Sequence, residues 1–198
     1  MKRILVACEY SGTVRDAFAA VGWDAWSCDL LPTEKPGQHY QGDVRDMLGQ
    51  GWDLMVAHPP CTYLSRSGYH WCNRPDSAPG VMPLKGEPRR KAMKEAADFF
   101  RLLADVKVER ICIENPKPVV HANLPRHTQA IHPWQFGHGE TKATCLWLKN
   151  LPPLMPTNVV EGREQRIWKM PPGKDRWKER SRTFPGIARA MAEQWGCL

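Results

Sequence analysis

The chain has 198 residues, of which 42% are hydrophobic, 25% charged and 9% aromatic. That is enough for one compact domain with a core of its own, and it excludes a disordered chain. The mean hydropathy of −0.52 and apolar runs no longer than Ile4 to Cys8 or Leu54 to Ala57 exclude a membrane span, while 28 Lys+Arg against 21 Asp+Glu, net +7, favour a polyanionic partner.

Arg3 to Cys8 reads as a buried strand, Glu9-Tyr10-Ser11-Gly12 as a polar turn, and Thr13 to Val21 as a helix with Val14, Ala17, Phe18 and Val21 on one side. The apolar stretch after the basic Met1-Lys2-Arg3 stops at Glu9, too early for a signal-peptide core. A cytoplasmic protein is therefore expected, its seven cysteines held as thiols. A second strand, Asp24 to Cys28, ends at Asp29. Gln41 to Val44 reads as a short strand edge, and Trp52 to Ala57 is a strand running into His58-Pro59-Pro60-Cys61. Residues 65–88 form a long connection rich in Pro and Gly, of the kind that serves as a binding loop or lid. Arg89 to Val106 is a helix with an apolar stripe at Met93, Ala96, Ala97, Phe100, Leu103 and Ala104. Arg110 to Ile113 is a buried strand ending at Glu114-Asn115-Pro116. Ile131 to Phe136 and Ala143 to Leu148 read as a late pair of strands, Pro152 to Arg182 as irregular chain, and Gly186 to Trp195, opened by Pro185, as a closing helix. No internal repeat is visible.

The positive charge is concentrated. Residues 66–94 carry seven basic side chains against Asp76 and Glu87, and residues 163–182 carry eight against Glu164, Asp175 and Glu179, leaving a slightly acidic remainder. Two basic segments on such a body point to nucleic acid or nucleotide, against the plainer alternative of a solvated basic surface. Strands alternating with helices give an α/β fold on a mostly parallel sheet with helices on both faces. In such a sheet the active crevice lies at the carboxyl ends of the strands, and polar residues collect there: Glu9 to Gly12, Asp29, Asp43, His58 to Cys61 and Glu114 to Pro116. The two prolines fix the backbone ahead of Cys61. Cys8, Cys112 and Cys145 suit structural, buried roles, whereas Cys61 ends a strand before a basic loop. Glu114 suits the same crevice, with a cap or surface ion pair as the alternative.

A Pro-Cys after the fourth strand and a Glu-Asn after the fifth resemble the S-adenosylmethionine-dependent DNA cytosine-5 methyltransferases, in particular small phage-encoded members. The resemblance continues in order along most of the chain: Ala7 to Gly12 is similar to the first cofactor turn, Asp29 to the acidic end of strand two, Gly42-Asp43-Val44 to a Gly-Asp-Ile type motif, and Ile187 to Trp195 to the final helix. It implies a Rossmann-like class I methyltransferase fold and S-adenosylmethionine as cofactor. The cofactor would lie against Cys8, Glu9, Ser11, Gly12, Asp29, Leu30, Asp43, Val44 and Pro59. Cys61 would be the nucleophile, with Glu114 and Asn115 completing the catalytic set. Substrate contacts would come from Pro60, Ser65, Arg66, Lys142, Arg163, Arg166, Arg180 and Arg182. The implied partner is DNA, duplex or single-stranded, with no membrane and no obligate protein partner.

The sequence departs from that family in four places. Glu9 and Tyr10 stand in a turn that is richer in glycine elsewhere, and Glu9 is a cofactor contact or something new. His58 before Pro-Pro-Cys is unusual. The Gln-x-Arg-x-Arg segment has no counterpart, so Lys142, Arg163 or Arg166 would replace its arginine. Finally, only residues 151–184 stand where a target-recognition domain would be, which implies short or relaxed specificity. Three alternatives stay open: a free cytosine nucleotide of the dCMP type as substrate, a zinc-bearing module using His58, Cys61, His70 and Cys72, or a non-catalytic binding relative. Trp168 and Trp177 either stack on bases or pin their segment to the core, with pinning favoured; Trp147 and Trp195 are core residues.

Overall fold

In the computed structural model, which describes residues 1–198, the strands are β1 (Arg3–Ala7), β2 (Asp24–Asp29), β3 (His39–Gln41), β4 (Leu54–Ala57), β5 (Arg110–Pro116), β6 (Gln129–Ile131) and β7 (Thr144–Lys149). The helices are α1 (Thr13–Ala20), α2 (Gly86–Asp105), the short α3 (Arg166–Lys169) and α4 (Arg176–Ser181), and α5 (Pro185–Trp195). The strands form a single sheet in the order β3-β2-β1-β4-β5-β7-β6. β1 to β5 run parallel, and β7 runs antiparallel to both β5 and β6. This is an α/β, Rossmann-like fold on a mostly parallel sheet.

Both sheet faces are buried, which is why the central strands read as unbroken apolar runs. Ile4 and Val6 point into one layer, with Leu54, Val56, Val14 and Phe18 of α1, and Ile187, Met191 and Trp195 of α5. Leu5 and Ala7 point into the other, with Met55, Ala57, Ile111, Ile113, and Ala97, Phe100 and Leu103 of α2. Side chains such as Phe18, Phe100 and Trp195 are wholly buried, each contributing roughly 1.5–3 kcal/mol.

The chain order reverses at β1 and β4: from β1 it winds outward to β2 and β3, then returns to place β4 on the other side of β1. Ligands bind at such a switch point, beyond the carboxyl ends of the strands. Here the two ends are tied together, since Ala7 pairs with Ala57 and the His58 N–H donates to the Ala7 carbonyl at 2.9 Å.

Several boundaries differ from the sequence reading, each for a local reason. The strand expected at Gln41 to Val44 lies earlier, at His39–Gln41, because Asp43 accepts the Arg45 N–H at 2.9 Å and starts a 3-10 turn over Val44–Asp46. Within the long 65–88 connection, Arg66–Asn73 forms 3-10 turns. α2 begins at Gly86 rather than Arg89; Pro88 falls in its first turn, where a missing N–H costs nothing, and Asp76 accepts the Glu87 N–H at 2.8 Å. β6 is Gln129–Ile131, not Ile131 to Phe136, since Pro133 opens a turn at Pro133–Gln135. The late irregular stretch contains α3 and α4. No helix is long and apolar enough to cross a membrane.

Candidate active site

The site is built on the ends of β1, β4 and β5. β4 delivers His58-Pro59-Pro60-Cys61. Pro59 is buried and Pro60 exposed, and the Asn115 side-chain amide donates to the Pro59 carbonyl at 2.7 Å, locking this turn to β5. One residue before Asn115, Glu114 lies opposite His58, with Glu114 Oε2 and His58 Nδ1 2.8 Å apart and their side chains only 12% and 9% exposed. The loop after Cys61 is fixed from the other side by Arg89. This arginine is buried, donates to the Thr62 carbonyl at 3.1 Å and the Leu84 carbonyl at 3.4 Å, and lies over the Tyr63 ring. A Cβ at Gly68 would run into its guanidinium, so a larger residue there would have to displace Arg89.

Cys61 itself is exposed. Crowding by the surrounding protein pushes its thiol up, as does the Glu114 charge, while Lys142 and Arg180 pull it down. Burial alone would push His58 down and Glu114 up. Their mutual hydrogen bond and opposite charges win, so His58 is held above and Glu114 below its ordinary value. Their mutual contact therefore favours the carboxylate–imidazolium form of the pair. His58 Nε2 is buried without a hydrogen-bond partner, as is Asn115 Oδ1; stranding a buried N–H in this way costs about 1–3 kcal/mol.

Lys142, immediately before β7, reaches the crevice because β7 runs antiparallel to β5 and starts at the site's end of the sheet. Its ammonium donates to the Arg180 carbonyl at 2.9 Å, which brings α4 over the site. α4 is held by Tyr10, a buried residue of the β1–α1 turn whose hydroxyl donates to the Lys178 carbonyl at 3.0 Å and lies 3.1 Å from Ser181 Oγ.

In the β1–α1 turn, Cys8 has φ 59° and Gly12 φ 68°. A Cβ at Gly12 would meet the Arg15 guanidinium at 2.5 Å, so glycine is required on both counts. Glu9 explains its own departure from a glycine-rich turn. It is buried, and its carboxylate accepts from the N–H groups of Val14 at 2.7 Å and Arg15 at 3.2 Å and from Ser11 Oγ at 3.1 Å. It caps α1 from outside the helix, satisfying donors that the N-terminal residue, Gly12, cannot reach. Burial pushes the Cys8 thiol well up and Cys28 up to about 12, which makes both poor nucleophiles.

At the end of β2, Asp29 is half-buried, accepts the Leu31 N–H at 3.0 Å, and is raised by desolvation. Leu30 beside it is 74% exposed. Asp43 caps its turn and pairs with Arg45 at 3.0 Å, and Val44 is buried in the core.

The structure thus gathers Cys61, Glu114, Asn115 and Lys142 around one crevice with Arg180 above it, while Ser65 and the exposed Arg66 follow on the same loop. It does not gather the rest of the expected substrate set. Arg182 is tied to Glu34 at 2.6 Å and to Glu179. Arg163 stacks on Trp134 at 3.9 Å and donates to the Val160 and Gly162 carbonyls. Arg166 lies 3.7 Å from the buried Glu140. With Lys169, Arg163 and Arg166 line a depression of about 560 Å³, in a stretch that Glu164 ties to Gly139 and Thr141; a second, of about 480 Å³, is lined by His70, Trp71, Arg74 and Lys85. Trp168 is 69% exposed and Trp177 52%, the latter tilted against Tyr10, so Trp168 does not pin its segment. Trp147 and Trp195 are buried.

Sequence reasoning placed His58 among the polar strand-end residues and the possible zinc ligands, without its Glu114 partner, and counted Arg89 with the basic segment. The signal for Arg89 was its place on the apolar side of α2, four residues ahead of Met93. No three His, Cys, Asp or Glu side chains stand together as a metal site; of the four zinc candidates, Cys72 is buried and His58 is bound to Glu114.

A scan against protein-family models finds no match, and neither does a search of curated proteins. Solved structures similar to this one include a candidate DNA modification methyltransferase encoded within an E. coli prophage, with TM-score 0.48 and 13% identity over 81% of this chain and 52% of that one. A methyltransferase of Entamoeba histolytica gives TM-score 0.43 and 12% identity over 83% and 57%. A mutant DNMT2 of Spodoptera frugiperda gives 0.39 and 13% over 83% and 55%. The chain spans about half the length of these structures. At such scores and identities the likeness assigns no substrate and no residue roles.

Proposed function

We propose that the protein is an S-adenosylmethionine-dependent methyltransferase acting on carbon 5 of cytosine in DNA, with Cys61 as nucleophile. The observation that carries this reading is the placement of an exposed cysteine and a nearly buried, ionised Glu114 at the ends of adjacent strands, with Lys142 beside them. Carbon 5 of cytosine needs electron density to accept a methyl group, and thiolate attack at carbon 6 provides it. Glu114 binds the ring N3 and exocyclic amine edge, where a fixed carboxylate stabilises the proton that N3 acquires. Lys142 and Arg180 favour the Cys61 thiolate, and Asn115 keeps the Pro59-Pro60-Cys61 turn in place.

The residues at the ends of β1 and β2 fit the cofactor. Asp29 is a desolvated carboxylate that regains solvation by accepting from ribose hydroxyls, and the exposed Leu30 offers an apolar surface to a base. The turn Cys8-Glu9-Tyr10-Ser11-Gly12 faces the methionine end, with Glu9 acting by holding the turn; Asp43, Val44 and Pro59 border the adenine. When bound, the cofactor supplies an electrophilic methyl group. Duplex DNA presents its target base only after flipping, at a cost of a few kcal/mol. Ser65 and Arg66 on the loop after Cys61, and the exposed Arg163 and Arg166, would meet phosphates of the polymer. A polymer is favoured over dCMP because both basic segments leave several arginines and lysines exposed, more positive charge than the phosphate of a single nucleotide engages.

The test is transfer of label from methyl-labelled S-adenosylmethionine to duplex DNA, single-stranded DNA and dCMP, each with a Cys61→Ala control. Label at cytosine carbon 5 of DNA, absent in the control, is the expected result. Label in dCMP alone would move the function to nucleotide metabolism, and no label anywhere would overturn the methyltransferase reading.

A further inference from the structure

His58 makes one polar side-chain contact, to Glu114 at 2.8 Å, and its other ring nitrogen is buried and unpartnered. A histidine serving only to fill space or steady a loop would satisfy both nitrogens or expose one. This one is held by a contact to the very carboxylate assigned to the cytosine edge. The ring's one hydrogen bond is to Glu114, and the Nε2 position gains none where it lies. Any substrate group that draws on the Glu114 charge therefore loosens the hold on the Nδ1 proton.

We propose that His58 is a positioning residue that supplies, through Glu114, the proton taken up by ring N3 when Cys61 adds to cytosine. The inference rests on the cytosine reading above and extends it to the proton balance. The Cys61 thiolate forms the S–C6 bond, the C5=C6 π pair moves to C4=C5, and the C4=N3 π pair moves to N3. Glu114, ionised at rest, takes the proton from His58 Nδ1 as it passes one to N3. His58 ends neutral, Glu114 ends ionised, and the total charge is unchanged. After carbon 5 is methylated, loss of its proton to a base re-forms C5=C6 as the S–C6 bond breaks, and N3 returns its proton through Glu114 to His58.

The charged groups around the ring agree with this assignment. Glu114 on β5 and Glu9 in the β1–α1 turn favour the imidazolium, Lys142 before β7 opposes it, and Asp29 at the end of β2 feels the His58 charge in turn. The proton is held above the ordinary histidine value, and by a single hydrogen bond through which it can be given up.

The experiment measures methyl transfer to duplex DNA between pH 5 and 9 in the wild type and in His58→Gln, whose side chain keeps an N–H toward Glu114 and cannot ionise. A parallel ¹⁵N titration of the wild-type histidines is followed over the same range. Because the Cys61 thiol is pushed up, the wild-type rate is expected to rise with the thiolate fraction and to level off where His58 loses its proton, the bend coinciding with the NMR titration of His58. His58→Gln is expected to lose the bend, its rate rising on toward pH 9, and to be slower by roughly 10²-fold at pH 7, the scale of general acid–base catalysis, with DNA affinity unchanged. Retention of rate and bend in His58→Gln overturns the inference while leaving the cytosine reading intact. So does a bend that fails to match the His58 titration, a comparison needing only the wild type. Absence of transfer by the wild type itself overturns the cytosine reading and this inference together.

Discussion

The carboxyl end of the sheet and the late basic segment, residues 151–184, divide the molecule's chemistry unequally. At the sheet end each reactive side chain sits within or one to four residues past a strand whose register is set by its neighbours: His58 and Cys61 past β4, Glu114 and Asn115 within β5 paired to β7. Their positions follow from the ladder and from the Asn115 and Arg89 hydrogen bonds to the carbonyls of Pro59 and Thr62. The late segment has only two short helices, and most of its side chains are exposed. It is tied down by Tyr10, Lys142 and the Arg182–Glu34 pair. Reaction chemistry needs fixed geometry, whereas contact with a polyanion needs charge in reach and tolerates mobility; the two regions differ in the way those needs differ.

Substitutions on each side sharpen the contrast. The largest effect belongs to Cys61→Ser, which should lower methyl transfer by more than about 10³-fold through loss of the nucleophile. Its exposure keeps stability within roughly 0.5 kcal/mol, so an unfolding curve matching the wild type is the accompanying check. Next is Arg89→Met, which strands the Thr62 and Leu84 carbonyls. It should cost about 2 kcal/mol and lower the thermal midpoint by roughly 4–8 °C in a chain of this size, with no change in the salt dependence of DNA binding.

The His58–Glu114 pair adds a pH signature to stability. His58 is raised above 6.5, so its contribution is full below that value and is lost as pH rises through the folded-state value. Glu114 is lowered below 4.5, so its contribution is full above that value and is lost as pH falls through the folded-state value. Denaturant unfolding should therefore show the pair's largest contribution between pH 4.5 and 6.5, and His58→Gln should flatten that region. Smallest is the double change Arg163→Ala, Arg166→Ala. It should leave melting nearly unchanged and reduce the slope of log affinity against log salt by about 0.9 for each phosphate that is no longer neutralised. A fall in kcat with no change in slope would break the division drawn here.

The order of strands and helices, the two-sided core and the gathering of polar residues at strand ends were legible in the sequence, because a buried parallel sheet leaves continuous apolar runs punctuated by turns. β3, the start of α2 and the position of β6 were not, since each is set by one side chain or proline: Asp43, Asp76 and Pro133. Cys61 and Glu114 could be read from their places at strand ends. The meeting of His58 with Glu114 could not, because it spans 56 residues and depends on β4 lying beside β5. Composition likewise could not sort the arginines of the basic segments. Arg89 and Arg182 carry charge into structural bonds, and only the fold shows which arginines remain available to a partner.

The most direct test of the account is covalent trapping on duplex DNA in which the target cytosine carries fluorine at carbon 5. Fluorine cannot leave as a proton does, so an enzyme that adds a thiolate at carbon 6 and methylates carbon 5 is held as its adduct. The account predicts a cofactor-dependent DNA–protein species that survives denaturation, maps by mass spectrometry to the peptide containing Cys61, and is absent in Cys61→Ala. Methyl transfer to ordinary DNA with no trapped species, or an adduct on any other cysteine, would contradict it.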